Sequence, residues 1–495
     1  MLGELLKFLL YRSTRVPRAQ NVGIATRPRS IARGGDAPSA QLALGRSLRQ
    51  AGRPAEAVAQ LRHAYAAAPD TPGLLHDLVG ALIESDLCDK ALSVASAALE
   101  RDASSYEANV SAGFAYQKLH QPHRALTYYE TARQVRGDDP VLYAYRGSVM
   151  QELGRLDEAL ADFERALALW PDFPLARFHR GIARLLAGDY AGGWEGYELR
   201  PRSYAPHPDI PVWDGASLHG RTLLVLREQG LGDEIMFASL LPELIGTAGK
   251  VIVECDDRLR PIFTRSFPRA SFFASIPGGG LPYRVFRQHI DAAIGAGSVA
   301  RFLRRSASDF PRHDGYLVAD PVRAGRWRER LDGLGPQLKV GISWVGGVRQ
   351  TRRAQRSLPL EQLLPILRTP GVRFISLQYT PGAGEEVDAL KASGVAVDHW
   401  PEAIADYEET AALVHSLDLV ISVCTSLVHL AGAIGRPTWV MAPHSPEWRY
   451  GLRGEAMPWY PSVRVFRQPA YQLWARVIDS VREELRHHAE GRRAG

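Results

Sequence analysis

Two loops of this 495-residue chain carry the residue types best suited to chemistry. The first follows an apolar run that ends at Leu226 and has the sequence Arg227-Glu228-Gln229-Gly230-Leu231-Gly232-Asp233. Glycines permit a tight turn and close approach of a ligand to the backbone, and a carboxylate at a helix start can accept a proton from a hydroxyl. We predict that Asp233 is a general base, although Asp at this position also caps helices in any protein. The residues predicted to shape the loop around an acceptor are Glu228, Gln229, Gly230 and Gly232.

The second loop follows the apolar run 419–423 and begins Cys424-Thr425-Ser426, with His429 one turn further on. Free backbone N–H groups, two hydroxyls and a histidine at the start of a helix favour a pyrophosphate site. Helical periodicity predicts that Thr425 and His429 lie well away from the buried stripe of this helix. The alternative is that Thr425 and Ser426 are only caps and that His429 is a surface residue.

An arginine-rich stretch after the apolar run 340–344 is the third candidate. It contains Arg349, Arg352, Arg353 and Arg356, and Gly346 and Gly347 precede it. Guanidinium groups bind phosphate in a bidentate manner, although a solvated charged face is the commoner origin of such a run. The sequence has no glycine-rich phosphate loop ending in Lys-Ser or Lys-Thr, no His-Glu-x-x-His motif, no Gly-x-Ser-x-Gly elbow and no Asp-x-Asp pair. We therefore expect no metal site.

Short apolar runs in the second part of the chain predict the strands that position these loops. They are 223–226, 251–253, 340–344, 374–377, 419–423 and 438–441. Runs of this length and composition are typical of strands buried on both faces of a parallel sheet. Their alternation with amphipathic segments predicts two doubly wound sheets that face each other, with ligands bound beyond the carboxyl ends of the strands.

The front third of the chain repeats every 34 residues. Small residues recur at two positions of the repeat: one series is Ala57, Ala91, Ala125, Ala159 and Gly193, and the other is Gly45, Gly113, Gly147 and Gly181. Turns of Gly-Arg or Gly-Asp recur between the two, at Gly52, Gly154 and Gly188. Because small side chains let paired helices approach closely, the pattern resembles the tetratricopeptide repeat. Such arrays usually hold a protein in a concave groove, whereas the alternative is an array that only stabilises the rest of the chain. The tyrosines that could line the groove, or pack between repeats, are Tyr106, Tyr116, Tyr143 and Tyr145.

Composition excludes a disordered chain, since 45% of the residues are hydrophobic and 23% are charged. The formal net charge of +6 is spread along the chain and gives no indication of nucleic-acid binding. Cys88, Cys255 and Cys424 lack the spacing of metal ligands or disulfides, which favours a reducing compartment. No apolar run approaches the roughly 18 residues of a spanning helix. We predict a cytoplasmic protein without a transmembrane segment.

Several motifs occur in the order and spacing of a known family. They are Glu228-Gln229-Gly230-Leu231-Gly232-Asp233, Gly341-Ile342-Ser343-Trp344, Arg356-Ser357-Leu358, Thr410-Ala411-Ala412-Leu413, Leu417-Asp418-Leu419-Val420-Ile421, His429-Leu430-Ala431-Gly432-Ala433-Ile434-Gly435-Arg436-Pro437 and Trp448-Arg449. This part resembles the bacterial GT-B glycosyltransferases related to the ADP-heptose transferases. With its repeats, the whole chain resembles the relatives of that family that are fused to tetratricopeptide repeats.

The resemblance implies an enzyme in which Asp233 deprotonates the acceptor and the anomeric carbon is inverted without a metal or cofactor. It implies that Arg356 or a neighbouring residue neutralises the leaving nucleotide, a role that requires positive charge where negative charge develops. The other residues expected on the nucleotide-sugar donor are Thr425, Ser426, His429, Gly346 and Trp448. For Trp448, which would stack on the base or the sugar, a place in the buried core is the alternative.

One position departs from the family pattern. An acidic residue commonly precedes the threonine of the second loop, where this chain has Cys424. The donor could therefore differ from that of the heptose transferases. Some relatives that share this layout modify flagellin with nonulosonic sugars. That similarity would give the repeats a protein acceptor to dock.

We therefore predict an α-solenoid followed by two Rossmann-like domains of a GT-B fold. The predicted divisions are a poorly ordered leader (1–38), the repeat array (39–200), a linker (201–220), an acceptor-side domain (221–330), a nucleotide-sugar-side domain (331–485) and a tail (486–495). The predicted function is transfer of a sugar from a nucleotide-sugar donor to a protein held by the repeats, with flagellin as a candidate. The alternatives are a scaffold without catalysis and a transferase acting on lipopolysaccharide or polysaccharide.

Overall fold

The computed structural model describes residues 38–201, 209–275, 285, 288–347 and 352–494. The predicted leader lies outside the described residues except for Pro38, and so do Arg349 and part of the predicted linker. The described chain forms two compact units, of which the first comprises residues 38–183 and 199–201. The second comprises residues 184–198 and the described residues from 209 onward, whereas the predicted array runs to residue 200.

The first unit is built from antiparallel helix pairs. Its helices are α1 (Pro38–Gln50), α2 (Pro54–Ala67), α3 (Leu74–Glu84), α4 (Cys88–Arg101), α5 (Tyr106–Lys118), α6 (Pro122–Val135), α7 (Pro140–Glu152), α8 (Leu156–Leu169) and most of α9 (Pro174–Ala187). The predicted helical repeat is confirmed. The next helix, α10 (Tyr190–Tyr197), belongs to the second unit.

A left-handed residue lies in the turn between the two helices of each repeat. The predicted glycine turns are confirmed, with φ of 74° at Gly52, 71° at Gly154 and 88° at Gly188. The two remaining turns use Asp86 (φ 68°) and His120 (φ 58°) at the same position of the repeat. The turn therefore requires this conformation in every unit, and glycine adopts it without a steric penalty.

The recurring small residues lie where paired helices touch. A Cβ atom at Gly45 would stand 2.5 Å from Cγ of Leu61, and one at Gly113 would stand 2.6 Å from the ring of Tyr129. The repeated alanines, such as Ala57 and Ala91, have no exposed surface. This close packing explains the period of the sequence.

Of the four groove tyrosines, Tyr145 follows the alternative prediction of packing between repeats. Tyr145 is buried and stacks on Phe114 with ring centroids 5.3 Å apart. Tyr116 stacks on Tyr128 at 5.2 Å, and the guanidinium of Arg136 lies 3.8 Å from the ring centroid of Tyr106. The fourth tyrosine, Tyr143, donates a hydrogen bond to the carbonyl of Gly137 at 3.0 Å.

The second unit contains two sheets. The strands of the first are β1 (Thr222–Leu226), β2 (Lys250–Cys255), β3 (Ser271–Ala274) and β4 (Ala292–Gly295), in the order β3-β2-β1-β4. Those of the second are β5 (Leu338–Ser343), β6 (Val372–Ser376), β7 (Val397–His399), β8 (Leu419–Val423), β9 (Thr438–Ala442), β10 (Ala456–Met457) and β11 (Tyr460–Arg467), in the order β10-β11-β9-β8-β5-β6-β7. All described pairings are parallel except that of β10 with β11.

The helices of the second unit lie between these strands along the chain. After α10 they are α11 (Leu231–Ala238), α12 (Leu241–Thr247), α13 (Arg260–Ser266), α14 (Ala296–Leu303), α15 (Pro321–Asp332), α16 (Leu364–Leu367), α17 (Ala383–Leu390), α18 (Pro401–Ala405), α19 (Tyr407–Ser416), α20 (Ser426–Ile434) and α21 (Trp474–Ala494). Two helices, α11 and α12, follow β1, and Pro242, which cannot donate a backbone hydrogen bond, lies in the first turn of the second.

All six predicted strands are confirmed, and the fold is the predicted pair of doubly wound, Rossmann-like sheets. Every residue of β5, β8 and β9 is buried, which explains their unbroken apolar runs. The buried face of α21 adds Val477, Ile478, Val481 and Leu485 to the core of the second sheet. None of the helices in the described part of the chain is both long and apolar enough to cross a membrane.

The order of the strands creates a topological switch point in each sheet. In the second sheet the chain adds β6 and β7 on one side of β5 and then β8 and β9 on the other. In the first sheet the corresponding point lies between β1 and β4. Ligands of open α/β sheets bind in the crevice beyond the carboxyl ends of the strands at such a point.

Candidate functional site

The two predicted loops meet across the sheets. The loop after β1 leads into α11, the loop after β8 leads into α20, and the starts of these helices pack together. A Cβ atom at Gly232 would stand 2.9 Å from Cδ2 of His429 and 3.3 Å from Cα of Ser426. Glycine is therefore required here for close approach of the two helices.

Asp233 lies in the first turn of α11 and both of its carboxylate oxygens have partners. Oδ2 accepts a hydrogen bond from the backbone N–H of Gly230 at 3.2 Å, which is the predicted capping contact. Oδ1 accepts a hydrogen bond of 2.5 Å from Nη1 of Arg449, a residue that follows β9 in the second sheet. The candidate base is thus tied to an arginine from the other half of the site.

Arg449 is part of a chain of alternating charges that we call the arginine–carboxylate chain: Asp233, Arg449, Glu447 and Arg356. Nη2 of Arg449 lies 3.1 Å from Oε2 of Glu447, and Nη1 of Arg356 donates to Oε1 of Glu447 at 2.8 Å. Burial alone would raise the pKa of Glu447, but Arg449, Arg356 and Arg352 together hold it below its ordinary value. Burial would lower the pKa of Arg449, and its two carboxylate partners raise it instead.

The switch point of the second sheet lies beside this chain. A Cβ atom at Gly346 would stand 2.7 Å from the carbonyl oxygen of Cys424 and 3.0 Å from Cγ2 of Thr425, so the loops after β5 and β8 touch. The carbonyl oxygen of Arg356 lies 3.4 Å from the same Cβ position. The predicted donor residues Gly346, Arg356, Thr425 and Ser426 therefore lie close together at the carboxyl ends of β5 and β8, the position of the ligand crevice in open α/β sheets.

A buried glutamine, Gln378, holds the floor of this crevice in shape. Its Oε1 accepts hydrogen bonds from the hydroxyl of Ser343 and from the backbone N–H groups of Trp344 and Val345, each at 3.0 Å. Its Nε2 donates to the hydroxyl of Thr380 at 3.1 Å. This single side chain locks the loop after β5 to the loop after β6.

The prediction that Thr425 and His429 lie away from the buried stripe of their helix is wrong. Both are buried, because α20 is enclosed on every side from Leu427 to Ile434. The hydroxyl of Thr425 accepts a hydrogen bond from the N–H of Leu427 at 3.1 Å, which is the capping alternative. Ser426 remains half-buried at the start of the helix.

His429 is enclosed between the two loops. Its Nδ1 lies 3.1 Å from the hydroxyl of Tyr460, and its ring faces Gly232. Burial, reinforced by the charges of Arg449 and Arg356, holds the pKa of His429 well below its ordinary value. The imidazole is therefore neutral at pH 7 and joins the loops, rather than offering a positive charge to phosphate.

The loop residues Glu228 and Gln229 turn toward the protein. Glu228 is 1% exposed, and its carboxylate accepts a hydrogen bond from the N–H of Gly297 at 2.8 Å, so it fills the switch point of the first sheet. Gln229 is left-handed, with φ of 63°, and its Nε2 donates to the hydroxyl of Tyr197 at 2.8 Å. These contacts support a role in shaping the loop around Gly230 and not a contact of Glu228 with an acceptor.

Trp448 follows the alternative prediction of a core position. It is 6% exposed, and its ring contacts Trp194, Tyr197 and Trp459 edge to face at centroid distances of 5.3, 5.4 and 6.2 Å. The indole of Trp194 donates in turn to the carbonyl of Arg304 at 2.6 Å. This aromatic cluster supports the segment that carries Arg449.

Cys424 is buried, and burial together with nearby Glu447 raises the pKa of its thiol to about 12. The thiol is therefore uncharged at pH 7. Glu447, on the loop after β9, is close enough for its charge to act on this thiol.

A second carboxylate beside the candidate base, Glu234, has no signal in the sequence that separates it from a helix cap. It is buried and accepts hydrogen bonds from Nε of Arg227 at 2.6 Å and from the N–H of Asp256 at 2.8 Å. Burial raises its pKa to about 7 against the opposing effects of these two donors. Its contacts turn it toward β2.

The residues that the sequence-based reasoning missed are Glu447, Arg449 and Tyr460. Arg449 belongs to the Trp448-Arg449 motif, which was the one signal available for it. Among the described residues, no three His, Cys, Asp or Glu side chains are grouped so that they could hold a metal ion.

Comparison with known proteins identifies a matching family model and two related proteins. Residues 32–172 match the tetratricopeptide repeat family model. The chain is 33% identical to protein FlbA of Caulobacter vibrioides over 471 aligned residues. The aligned region covers 90% of this chain and 78% of that protein. The human tetratricopeptide repeat protein 13 is 30% identical over 148 residues, which cover 29% of this chain and 17% of that protein.

Two similar solved structures are transferases by their descriptions. The E. coli ADP-heptose lipopolysaccharide heptosyltransferase II is 14% identical with a TM-score of 0.38, covering 53% of this chain and 99% of that one. A glycosyl transferase family 9 protein from Veillonella parvula is 12% identical with a TM-score of 0.37, covering 51% of this chain and 87% of that one.

Proposed function

The chain belongs to the family of the Caulobacter vibrioides protein FlbA, and we propose that its second unit is a metal-independent, inverting glycosyltransferase. The enzyme moves a sugar from a nucleotide-sugar donor to a protein that the repeat array holds. Flagellin is the acceptor that we propose.

The observation that carries this proposal is the position of Asp233 opposite two arginines. Asp233 begins a helix of the first sheet, whereas Arg449 and Arg356 extend from loops at the switch point of the second sheet. Inverting transfer requires a base on one side of the anomeric carbon and positive charge beside the leaving phosphate on the other. We assign the base to Asp233 and the positive charge to Arg356, which lie on loops of different sheets.

The roles follow from the chemistry of the step. The acceptor hydroxyl gives its proton to Asp233 while its oxygen forms the bond to the anomeric carbon. The bond from that carbon to the donor phosphate breaks, and its electron pair stays on the phosphate oxygen. Arg356 neutralises this charge, and the phosphate lies beside the start of α20, where the helix dipole favours an anion.

The repeat array supports a protein acceptor. Residues 38–183 form a stack of helix pairs, and arrays of this kind bind segments of other proteins. Flagellin is proposed because the chain resembles relatives of this layout that modify it.

Donor binding is tested by thermal shift with ADP-, UDP-, GDP- and CMP-sugars. One of them should stabilise the protein, by about 2.7 kcal/mol at roughly 100 times its dissociation constant. Arg356→Gln should abolish this shift, whereas Arg353→Gln, at an exposed position of the same stretch, should keep it. If no donor gives a shift, the second unit is not a nucleotide-sugar transferase and the scaffold becomes the better account.

Transfer is tested by the intact mass of purified flagellin incubated with the full-length protein and the donor. Flagellin should gain the mass of a sugar, and Asp233→Asn should prevent the gain. Hydrogen exchange of the full-length protein with and without flagellin locates the docking surface. Protection should appear in helices of residues 38–183, and protection confined to the second unit would contradict an acceptor role for the repeats.

A further inference from the structure

The arginine–carboxylate chain places Arg449 between two carboxylates, those of Asp233 and Glu447. Arg449 donates to Asp233 at 2.5 Å and lies 3.1 Å from Glu447, and its side chain is only 10% exposed. A guanidinium has five N–H donors. The Nε of Arg449 is buried and has no hydrogen-bond partner among the described residues. Arg449 therefore has a donor left over for a further anion.

The same pairing occupies the candidate base. Oδ1 of Asp233 accepts from Arg449 and Oδ2 accepts from the N–H of Gly230. In the proposed reaction, the sugar and the acceptor oxygen lie between Asp233 and the phosphate. While Oδ1 of Asp233 and Nη1 of Arg449 are 2.5 Å apart, nothing fits between them. For Asp233 to act as a base on a sugar bound at the second sheet, Arg449 must move its Nη1 elsewhere.

A phosphate bound at the second sheet offers that alternative partner. The backbone of Arg356 adjoins Gly346, and its guanidinium shares Glu447 with Arg449, so the loop after β5 is linked to Arg449. The chain itself is neutral, with two arginines and two carboxylates. A phosphate that enters beside it adds negative charge, which favours release of Arg449 from Asp233.

We propose that Arg449 releases Asp233 and binds the phosphate of the donor instead, so that the base becomes free only after the donor is bound. This inference rests on the proposed transferase function. Glu447 keeps its contact with Arg449 during the exchange, so the arginine pivots and does not leave the site. The consequence is an ordered reaction in which the donor binds first.

The exchange makes an unusual prediction for binding. Asp233 competes with phosphate for Arg449, so removing its charge should strengthen nucleotide binding. We expect Asp233→Asn to bind the nucleotide about tenfold more tightly than the wild type, and Arg449→Gln to bind it at least tenfold more weakly. In Arg449→Gln, the further change Asp233→Asn should bring no gain, because its effect passes through the arginine. A general repulsion between Asp233 and phosphate would instead persist in the double variant.

The experiment is calorimetric titration of the four full-length proteins with ADP, UDP, GDP and CMP. Tighter binding by Asp233→Asn alone, lost in the double variant, supports the exchange. Equal or weaker binding by Asp233→Asn overturns it and leaves Arg449 as a fixed support of the base, with the proposed transferase function intact. Absence of binding of any nucleotide to all four proteins overturns the transferase function and this inference together.

Discussion

Replacing Gly232 by alanine should separate the two loops of the site and misplace Asp233. The new Cβ would stand 2.9 Å from Cδ2 of His429 and 3.3 Å from Cα of Ser426. Since carbon atoms pack at about 3.5–4.0 Å, the helices must part by roughly 0.6–1 Å. His429 cannot turn away, because it is buried and its Nδ1 lies 3.1 Å from the hydroxyl of Tyr460.

Both stability and rate should respond. Overpacking of this kind costs about 1–3 kcal/mol, and the better helix propensity of alanine offsets up to about 1 kcal/mol of it. A net loss of about 1–2 kcal/mol corresponds to a fall in melting temperature of about 2–8 °C for a domain of this class. A misplacement of about 1 Å at a reacting group costs about 100-fold in rate.

The control is Gly246→Ala in α12, where an added Cβ would have no neighbour within 4 Å. Thermal unfolding and the rate of sugar transfer to flagellin are measured for both variants. Gly246→Ala should melt at or above the wild-type temperature and transfer at the wild-type rate. If Gly232→Ala behaves in the same way as this control, the contact between the loops does not position the base.

Two further predictions concern burial of polar groups. Burial lowers the pKa of His76 to about 4, so between pH 6.5 and 4 the unfolded chain binds a proton that the folded repeats exclude, and stability must fall as the pH falls. From pH 6.5 to 5 we expect the free energy of unfolding of the repeats to fall by about 1–2 kcal/mol. Hydrogen exchange of α3 measures this fall, and the pH dependence should be weaker in His76→Phe. An unchanged pH dependence in that variant would contradict the lowered pKa of His76. Gln378→Met leaves Ser343, Trp344 and Val345 without their shared acceptor, which should cost at least about 3 kcal/mol and weaken donor binding in the thermal-shift assay. A melting temperature within 2 °C of the wild type, a threshold set from roughly 2–4 °C per kcal/mol, would show that the loops do not depend on this side chain.

The fold could be predicted because its helices and longer strands have periodic or apolar sequence patterns of their own. Part of the 34-residue period follows from a repeated contact, since Gly45, Gly113 and Gly147 each touch the next helix. The apolar runs of β5 and β8 follow from burial on both faces of a parallel sheet. Short strands such as β3, β4 and β7 escaped prediction, because three or four residues carry too little pattern to distinguish them from loops.

The candidate site was predicted only in part. The sequence located both loops, because glycines and polar residues between a strand and a helix are a local signal. It left open whether Thr425 is a cap, whether Trp448 is in the core and whether His429 is exposed. Each answer depends on the side chains that pack against the residue from a distant part of the chain, such as Trp194 against Trp448.

The repeat architecture, the parallel sheets and the position of Asp233 at the start of a helix are all encoded in local stretches of the chain, because periodicity and capping are properties of neighbouring residues. The pairing of Asp233 with Arg449 joins residues that lie 216 positions apart. It depends on strand order and on the surface that buries each side chain, which no local pattern contains.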